Sequence, residues 1–319
     1  MRRSIVACAA LLGLSLNAHA APPSVAVDIA PLHSLVSQVM GSVAEPTLII
    51  PAESSPHHYT LRPSQAKALA SADVVFWIGE GFTPWLEKSL DNLASSAQKV
   101  EVLEIEGTTT HGYREGATFE KHEHDDEHEE EGHDDEKEHK KDEHHDEHDG
   151  NDPHAWLDPE NAKIWVKHIS DVLSKQDPEN AAAYSSNATA TIASLDAMIV
   201  STRTQIEALG QPKFIVFHDA YQYFEKRFGI SAAGSISLGD AEDPSPARVK
   251  EIQETVKKLG VNCIFTEPQY NAGLVKNVFA GTSISTIGVM DPLGASISTG
   301  SGHYQALIQA MINSISQCK

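Results

Sequence analysis

The sequence predicts an α/β protein of two lobes, each built on a mostly parallel sheet, joined by one long rigid helix. Three observations lead there. Short runs rich in Val, Ile and Phe alternate with helical patterns from end to end, the rhythm of βαβ units. One amphipathic segment near the middle, 178–209, is far longer than the rest. Between the two halves of the rhythm's first part falls a run, 120–149, of histidine, carboxylates and a few lysines that neither core could accept.

Taken in order, the chain opens with an export signal. Arg2 and Arg3 supply a charged start, Ile5 to Leu16 an apolar stretch and Ala18-His19-Ala20 a small-residue cleavage site. Ile5-Val6-Ala7-Cys8 resembles a lipobox, but too little apolar sequence precedes Cys8, so cleavage after Ala20 without lipidation is expected. No later apolar stretch is long enough to span a membrane.

The first lobe, 21–177, starts with strand-like SVAVDI (24–29), a helix over 31–40 and TLII (47–50). The loop PAESSPHHYTLRP then leads to a helix over 63–71, a strand DVVFWI (73–78), a helix over 83–94 and KVEVLEI (99–105). A further helix begins after Asp158, a suitable N-cap with Pro159 at the first helical position. The linking helix, 178–209, opens on Asp177-Pro178 and stops at Gly210 and Pro212. Tyr184, Ala188, Ile192, Leu195, Ile199, Ile206 and Leu209 share one face, and 1.5 Å per residue makes it about 48 Å long. The second lobe, 210–319, repeats the alternation with KFIVF (213–217), SAAGSI (231–236), VNCIFTE (261–267) and SISTIGV (283–289). That length suffices for two lobes with a core each.

Charge narrows the partners. The formal net charge is −21, and residues 120–149 hold 17 acidic and 4 basic side chains of it. Nucleic acid and anionic membranes demand clustered Lys and Arg and are excluded. Residues 120–149 contain almost nothing apolar to drive folding, so 111–151 is expected to be a disordered loop. Its imidazoles, His122, His124, His128, His133, His139, His144, His145 and His148, together with the carboxylates, form a flexible set of zinc ligands. Ordering such a chain costs about 1–2 kcal/mol per residue, so this auxiliary loop is expected to bind metal weakly and several times over. After signal cleavage only Cys263 and Cys318 remain, and an exported chain with two cysteines is expected to join them in a disulfide.

The remaining chemistry is histidine. His57 and His58 sit in the loop after a strand, His154 precedes the helix capped by Asp158, His218 ends the strand KFIVF, and Asp291 follows the strand SISTIGV. Strand ends of open α/β folds are where ligands gather. His33, His111, His168 and His303 lack such placement and are assigned to surface or packing, as Trp77, Trp85, Trp156 and Trp165 are to packing. No HExxH, nucleophile elbow or phosphate loop occurs.

The segments SSPHHYTLRPSQ (54–65), DVVFWIGEGFTPWLEK (73–88), DPHAWLDPENA (152–162), FHDAYQYFEKRFGI (217–230), FTEPQY (265–270) and MDPLG (290–294) closely resemble the periplasmic zinc-binding receptors of ABC transporters. The resemblance covers essentially the whole mature chain. It implies a zinc site in the cleft between the lobes, with imidazoles from His57, His154 and His218. Some of these receptors use a Glu immediately before the first His, where this chain has Pro56. Asp291 matches a position that supplies a carboxylate in related receptors, with water as the other option. His58 is expected to face solvent. Asp219 and Glu267 are candidates to orient the imidazoles. The implied role is capture of Zn²⁺ by a monomer in the periplasm of a Gram-negative cell, for import by an inner-membrane permease with its ATPase on other chains, without catalysis. The competing readings are a periplasmic zinc chaperone or buffer, and a secreted zinc hydrolase, which would need an open coordination position and a general base.

Overall fold

The computed structural model describes residues 21–114, 150–237, 245–270 and 284–318, with residues 273, 275, 278, 279, 281 and 282 between the last two stretches. The expected signal segment and the eight histidines of the insert lie outside the described residues.

Two four-stranded sheets carry the architecture. The first has β1 (Val25–Val27), β2 (Thr47–Leu48), β3 (Val74–Trp77) and β4 (Gln98–Glu101) in the order β2-β1-β3-β4, every pair parallel. The second has β5 (Phe214–His218), β6 (Ser235–Ser237), β7 (Cys263–Thr266) and β8 (Thr286–Val289) in the order β6-β5-β7-β8, again all parallel. The two sheets therefore share one strand order. Their inner strands are buried along their whole length, which is why they read as continuous apolar runs rather than alternating ones.

Helices α1 (Ala30–Met40), α2 (Pro63–Ala70), α3 (Pro84–Leu93) and α4 (Pro159–Gln176) belong to the first lobe. Helices α6 (Gln222–Phe228) and α7 (Pro246–Leu259) follow strands of the second sheet, and the last helix, α8 (His303–Ile315), packs on α1 and α5. The N-cap expected at Asp158 is present, its carboxylate accepting from the Glu160 amide at 2.9 Å. Between the lobes runs α5 (Ala181–Leu209), 29 residues and so about 44 Å long. It starts three residues later than expected, because Pro178–Asn180 form a 3₁₀ turn. Asp177 spends its carboxylate on Tyr184 Oη and Asn180 Nδ2, each at 2.8 Å, instead of capping backbone amides. The buried face of α5 also differs in part: Thr191 and Thr202 are buried, whereas Ile192 and Leu209 are only partly so.

The lobes share much of one core. A single apolar cluster runs from Val27 and Trp165 through Leu195 of α5 to Phe214, Met290 and Tyr304, and a smaller one, with Ile215, Ile252 and Val256, backs the second sheet. The linking helix packs on α1 and α4 of the first lobe, on α8 and on α6 beside the second sheet, so it cements the lobes instead of merely spanning them. Polar bonds reinforce the seam: Tyr304 Oη donates to the Trp156 carbonyl at 2.6 Å, and Ser34 Oγ to the Ser301 carbonyl at 2.9 Å. Cys263 and Cys318 form a disulfide with Cα atoms 5.4 Å apart, tying the C-terminal end to β7. For a loop of that span the chain-entropy model gives about 4 kcal/mol.

His33 and His303 are packed as expected, their Nε2 atoms on the carbonyls of Pro46 (3.0 Å) and Leu293 (2.8 Å). Among the described residues no helix is long and apolar enough to cross a membrane.

Candidate metal centre

Three imidazoles reach one crevice between the lobes, each delivered by a different local device. His57 rides on the loop after β2. Trp85 Nε1 pins that loop by donating to the Pro56 carbonyl at 2.7 Å, and the Phe82 ring meets the His57 ring edge-on at 4.8 Å. Phe82 in turn depends on the turn after β3. Gly79 there has φ 150°, and a Cβ would lie 2.3 Å from Glu101 Oε1, so only glycine fits.

His154 lies at the start of the 3₁₀ turn Ala155–Leu157, just before α4. Asp152 Oδ1 accepts from the His154 amide at 3.0 Å and from its Nδ1 at 2.7 Å. His218 is the last residue of β5. Glu267 follows β7 directly, and its Oε1 accepts from His218 Nδ1 at 2.6 Å. His154, His218, Asp152 and Glu267 are all at most 4% exposed.

The two carboxylates settle the tautomers. A carboxylate only accepts, so each ring keeps its proton on Nδ1 and turns Nε2, with its lone pair, the other way. These two Nε2 atoms face each other at 3.4 Å. Two ligands 2.0–2.1 Å from a tetrahedral zinc would stand about 3.3–3.4 Å apart. The pair is therefore already at zinc spacing. His57 is farther off, its ring centre 6.2 Å from that of His154, against 5.3 Å for His154 and His218. As they stand, no three or more His, Cys, Asp or Glu side chains among the described residues are grouped closely enough to hold a metal ion together.

The crevice encloses about 20 Å³ and is lined by all three imidazoles together with Glu267, Gln269 and Tyr270. That is room for roughly one water-sized occupant, an ion and not a metabolite. Two lining residues, Ser55 and Gln269, carry buried oxygens without a hydrogen-bond partner, acceptors suited to a metal-bound water.

Asp291 stands differently from the imidazoles. Its Oδ1 accepts from the Leu293 amide at 2.9 Å and from Gln269 Nε2 at 3.2 Å, and its Oδ2 from the Ala295 amide at 2.5 Å. The crevice is lined by the next residues, Pro292 and Leu293. The carboxylate serves the turn of the MDPLG segment, as Asp before a turn commonly does. Of the two candidates to orient imidazoles, Glu267 holds His218, whereas Asp219 is turned away and paired with Arg114. Asp152 performs the service for His154 instead; an Asp two residues ahead of His154 was the signal available in the sequence. His58 is exposed, as expected. Trp77, Trp156 and Trp165 are buried in the core, and Trp156 also lines the crevice.

Comparison with known proteins bears on this centre. The family model described as "ZnuA: Zinc-uptake complex component A periplasmic" matches residues 25–318. The high-affinity zinc uptake system protein ZnuA of Brucella abortus (strain 2308) is 45% identical over 304 residues, covering 92% of this chain and 91% of that protein. Its namesake in Paracoccus denitrificans (strain Pd 1222) is 41% identical over 326 aligned residues, covering 99% and 97%. Among solved structures, a crystal structure of ZnuA superposes with a TM-score of 0.72 at 24% identity, covering 92% of this chain and 99% of that one. A zinc-bound ZnuA deletion mutant gives 0.73 at 22% identity, covering 93% and 98%. These two structures share the fold.

Proposed function

The chain belongs to the ZnuA family of periplasmic zinc-uptake components, and from that premise we propose that it captures Zn²⁺ in the periplasm as a monomeric receptor and delivers it to an inner-membrane ABC permease. One observation carries the reading: two buried imidazoles, each locked by a carboxylate at Nδ1, aim their Nε2 atoms at each other across 3.4 Å. Zinc is the cargo. His154 and His218 bind it first, His57 swings in as the third ligand, and Asp291 completes four-coordination by leaving Gln269. Three imidazoles and one oxygen suit Zn²⁺ and disfavour Mn²⁺, which ranks lowest in the affinity order for divalent ions.

A hydrolase would need a general base beside the metal. Glu267 is the carboxylate nearest that role, and its Oε1 is committed to His218 Nδ1, which supports a carrier without catalysis. Export through cleavage after Ala20 would place the mature chain where the zinc is.

Calorimetric titration of the mature chain with zinc tests the assignment. His57→Ala, His154→Ala and His218→Ala should each weaken the tight phase by about a hundredfold or more, since losing even an orienting partner costs 10–100-fold. Asp291→Ala should cost less, as water can replace its oxygen. Unchanged titrations in all three histidine variants would remove the proposed site.

A further inference from the structure

The root of the His-rich insert is an ordered stalk. Gly112 pairs with Asn151 in an antiparallel bridge, and the Asp152 amide donates to the His111 carbonyl at 2.7 Å. This stalk belongs to the first lobe and lies on α6 of the second. Gln222 Nε2 donates both to the Gly112 carbonyl at 3.0 Å and to Asp152 Oδ2 at 3.1 Å. Tyr223 Oη donates to the Asp152 carbonyl at 2.6 Å and accepts from the His111 amide at 3.0 Å.

Arg114, where the stalk meets the insert, reaches the same helix. Its Nε donates to Asp219 at 2.9 Å, its Nη1 to Glu225 Oε2 at 2.8 Å and its Nη2 to Glu225 Oε1 at 3.1 Å, with a further contact from Nη2 to Asp219 Oδ1. All three side chains are largely buried. A buried, charge-assisted, forked contact of this kind fixes geometry better than it adds stability.

Both ends of this seam touch the carriers of the zinc ligands. Asp152 uses one oxygen for Gln222 and the other for the His154 ring. Asp219, held by Arg114, is the neighbour of His218. The lobes are already joined elsewhere by α5 and a continuous apolar core, so cohesion of the fold does not need this contact. What it fixes is the separation of His154 and His218, which lie in different lobes.

We propose that Arg114 and Gln222 are positioning residues for zinc: an inter-lobe clasp at the root of the insert that holds His154 and His218 at zinc spacing and so sets how slowly the ion leaves. The proposal rests on the zinc-receptor reading above. It also gives the insert's point of attachment a mechanical meaning, because any pull on residues 111–114 is felt by the ring that Asp152 orients.

The test uses the full mature chain with Arg114→Lys and Gln222→Ala, and His154→Ala in parallel. Arg114→Ala is avoided, since it would strand Asp219 and Glu225 together without a cation. Three readouts separate positioning from folding: zinc release into excess chelator, the visible absorption of the Co²⁺-loaded site, and the melting midpoint of the metal-free chain. Both clasp variants should release zinc about tenfold faster and weaken the Co²⁺ bands, with metal-free midpoints near that of the wild type. Should Arg114→Lys fail to fold, Gln222→Ala decides, because it removes only a neutral donor. Wild-type release rates and Co²⁺ spectra in the folded variants, with His154→Ala still crippled, would overturn the clasp and leave the receptor reading standing. Wild-type binding by His154→Ala would overturn both.

Discussion

The two lobes share a strand order and place different chemistry at the same point in it. In each sheet the chain reverses its direction of growth beside the first strand, the position where open α/β folds build ligand sites. In the first lobe Asp28 sits there, directly after β1, fully buried, accepting from the amides of Ile29 and Ile78 at 2.7 Å each. In the second lobe His218 sits there, at the end of β5, with its ring held by Glu267 and its Nε2 facing His154. Asp28 is spent on backbone donors and closes its sheet end. His218 is held from behind and keeps one nitrogen outward. Topology proposes the spot; the partners decide whether it becomes a site.

That contrast can be broken most sharply by zinc binding itself. His218→Ala should lower affinity by about a hundredfold or more, whereas Asp28→Asn should leave it within a small factor. Equal losses in the two would mean that the shared position, and not the outward nitrogen, matters. A smaller loss probes the support behind the ring. Glu267→Gln and Asp152→Asn should each weaken zinc by about 10–100-fold, because an amide no longer imposes the Nδ1–H tautomer. Chelator competition would show it, and undiminished affinity in both would refute the tautomer argument.

The first-lobe counterpart has its own signature, in stability. Burial pushes the Asp28 carboxyl up to about 7, against the opposing pull of its amide bonds. Between pH 4 and 7 the folded state therefore holds a proton that the unfolded state has released. Stability should fall as pH rises through that window, by a few kcal/mol for this group. Urea midpoints at pH 4.5 and 7 should draw closer in Asp28→Asn; an unchanged gap would contradict this. The smallest effect on the tight site is expected from removing residues 120–149, which should reduce zinc stoichiometry and leave the tightest phase nearly intact by calorimetry.

Much of the fold was legible because local signals agreed with one another. The apolar runs of the inner strands, the Asp158-Pro159 start and the Gly210 stop all mark elements that the structure contains within a few residues. His57, His154 and His218 stand out as loop, pre-helix and strand-end histidines, but it is the family resemblance that singles them out as a ligand set. What stayed hidden depends on partners far apart in the chain. Asp219 is adjacent to His218 and looked like its support, yet Arg114, 105 residues away, claims it. Gln222 carries no sequence signal at all; its meaning comes from lying across Gly112 and Asp152. The merged core was equally unreadable, since α5 shows one apolar face and gives no sign that both lobes use it. The bonds from the Asp291 carboxylate to the amides of its own turn are likewise beyond what the sequence displays.

The central claim is that one zinc ion sits between imidazoles contributed by both lobes. Crystals of the zinc-loaded mature chain, measured at the zinc absorption edge, test it directly. The account predicts a single strong anomalous peak in the crevice, about 2.0–2.1 Å from Nε2 of His57, His154 and His218. A peak elsewhere, with His154 and His218 still facing each other across an unfilled gap, would contradict it.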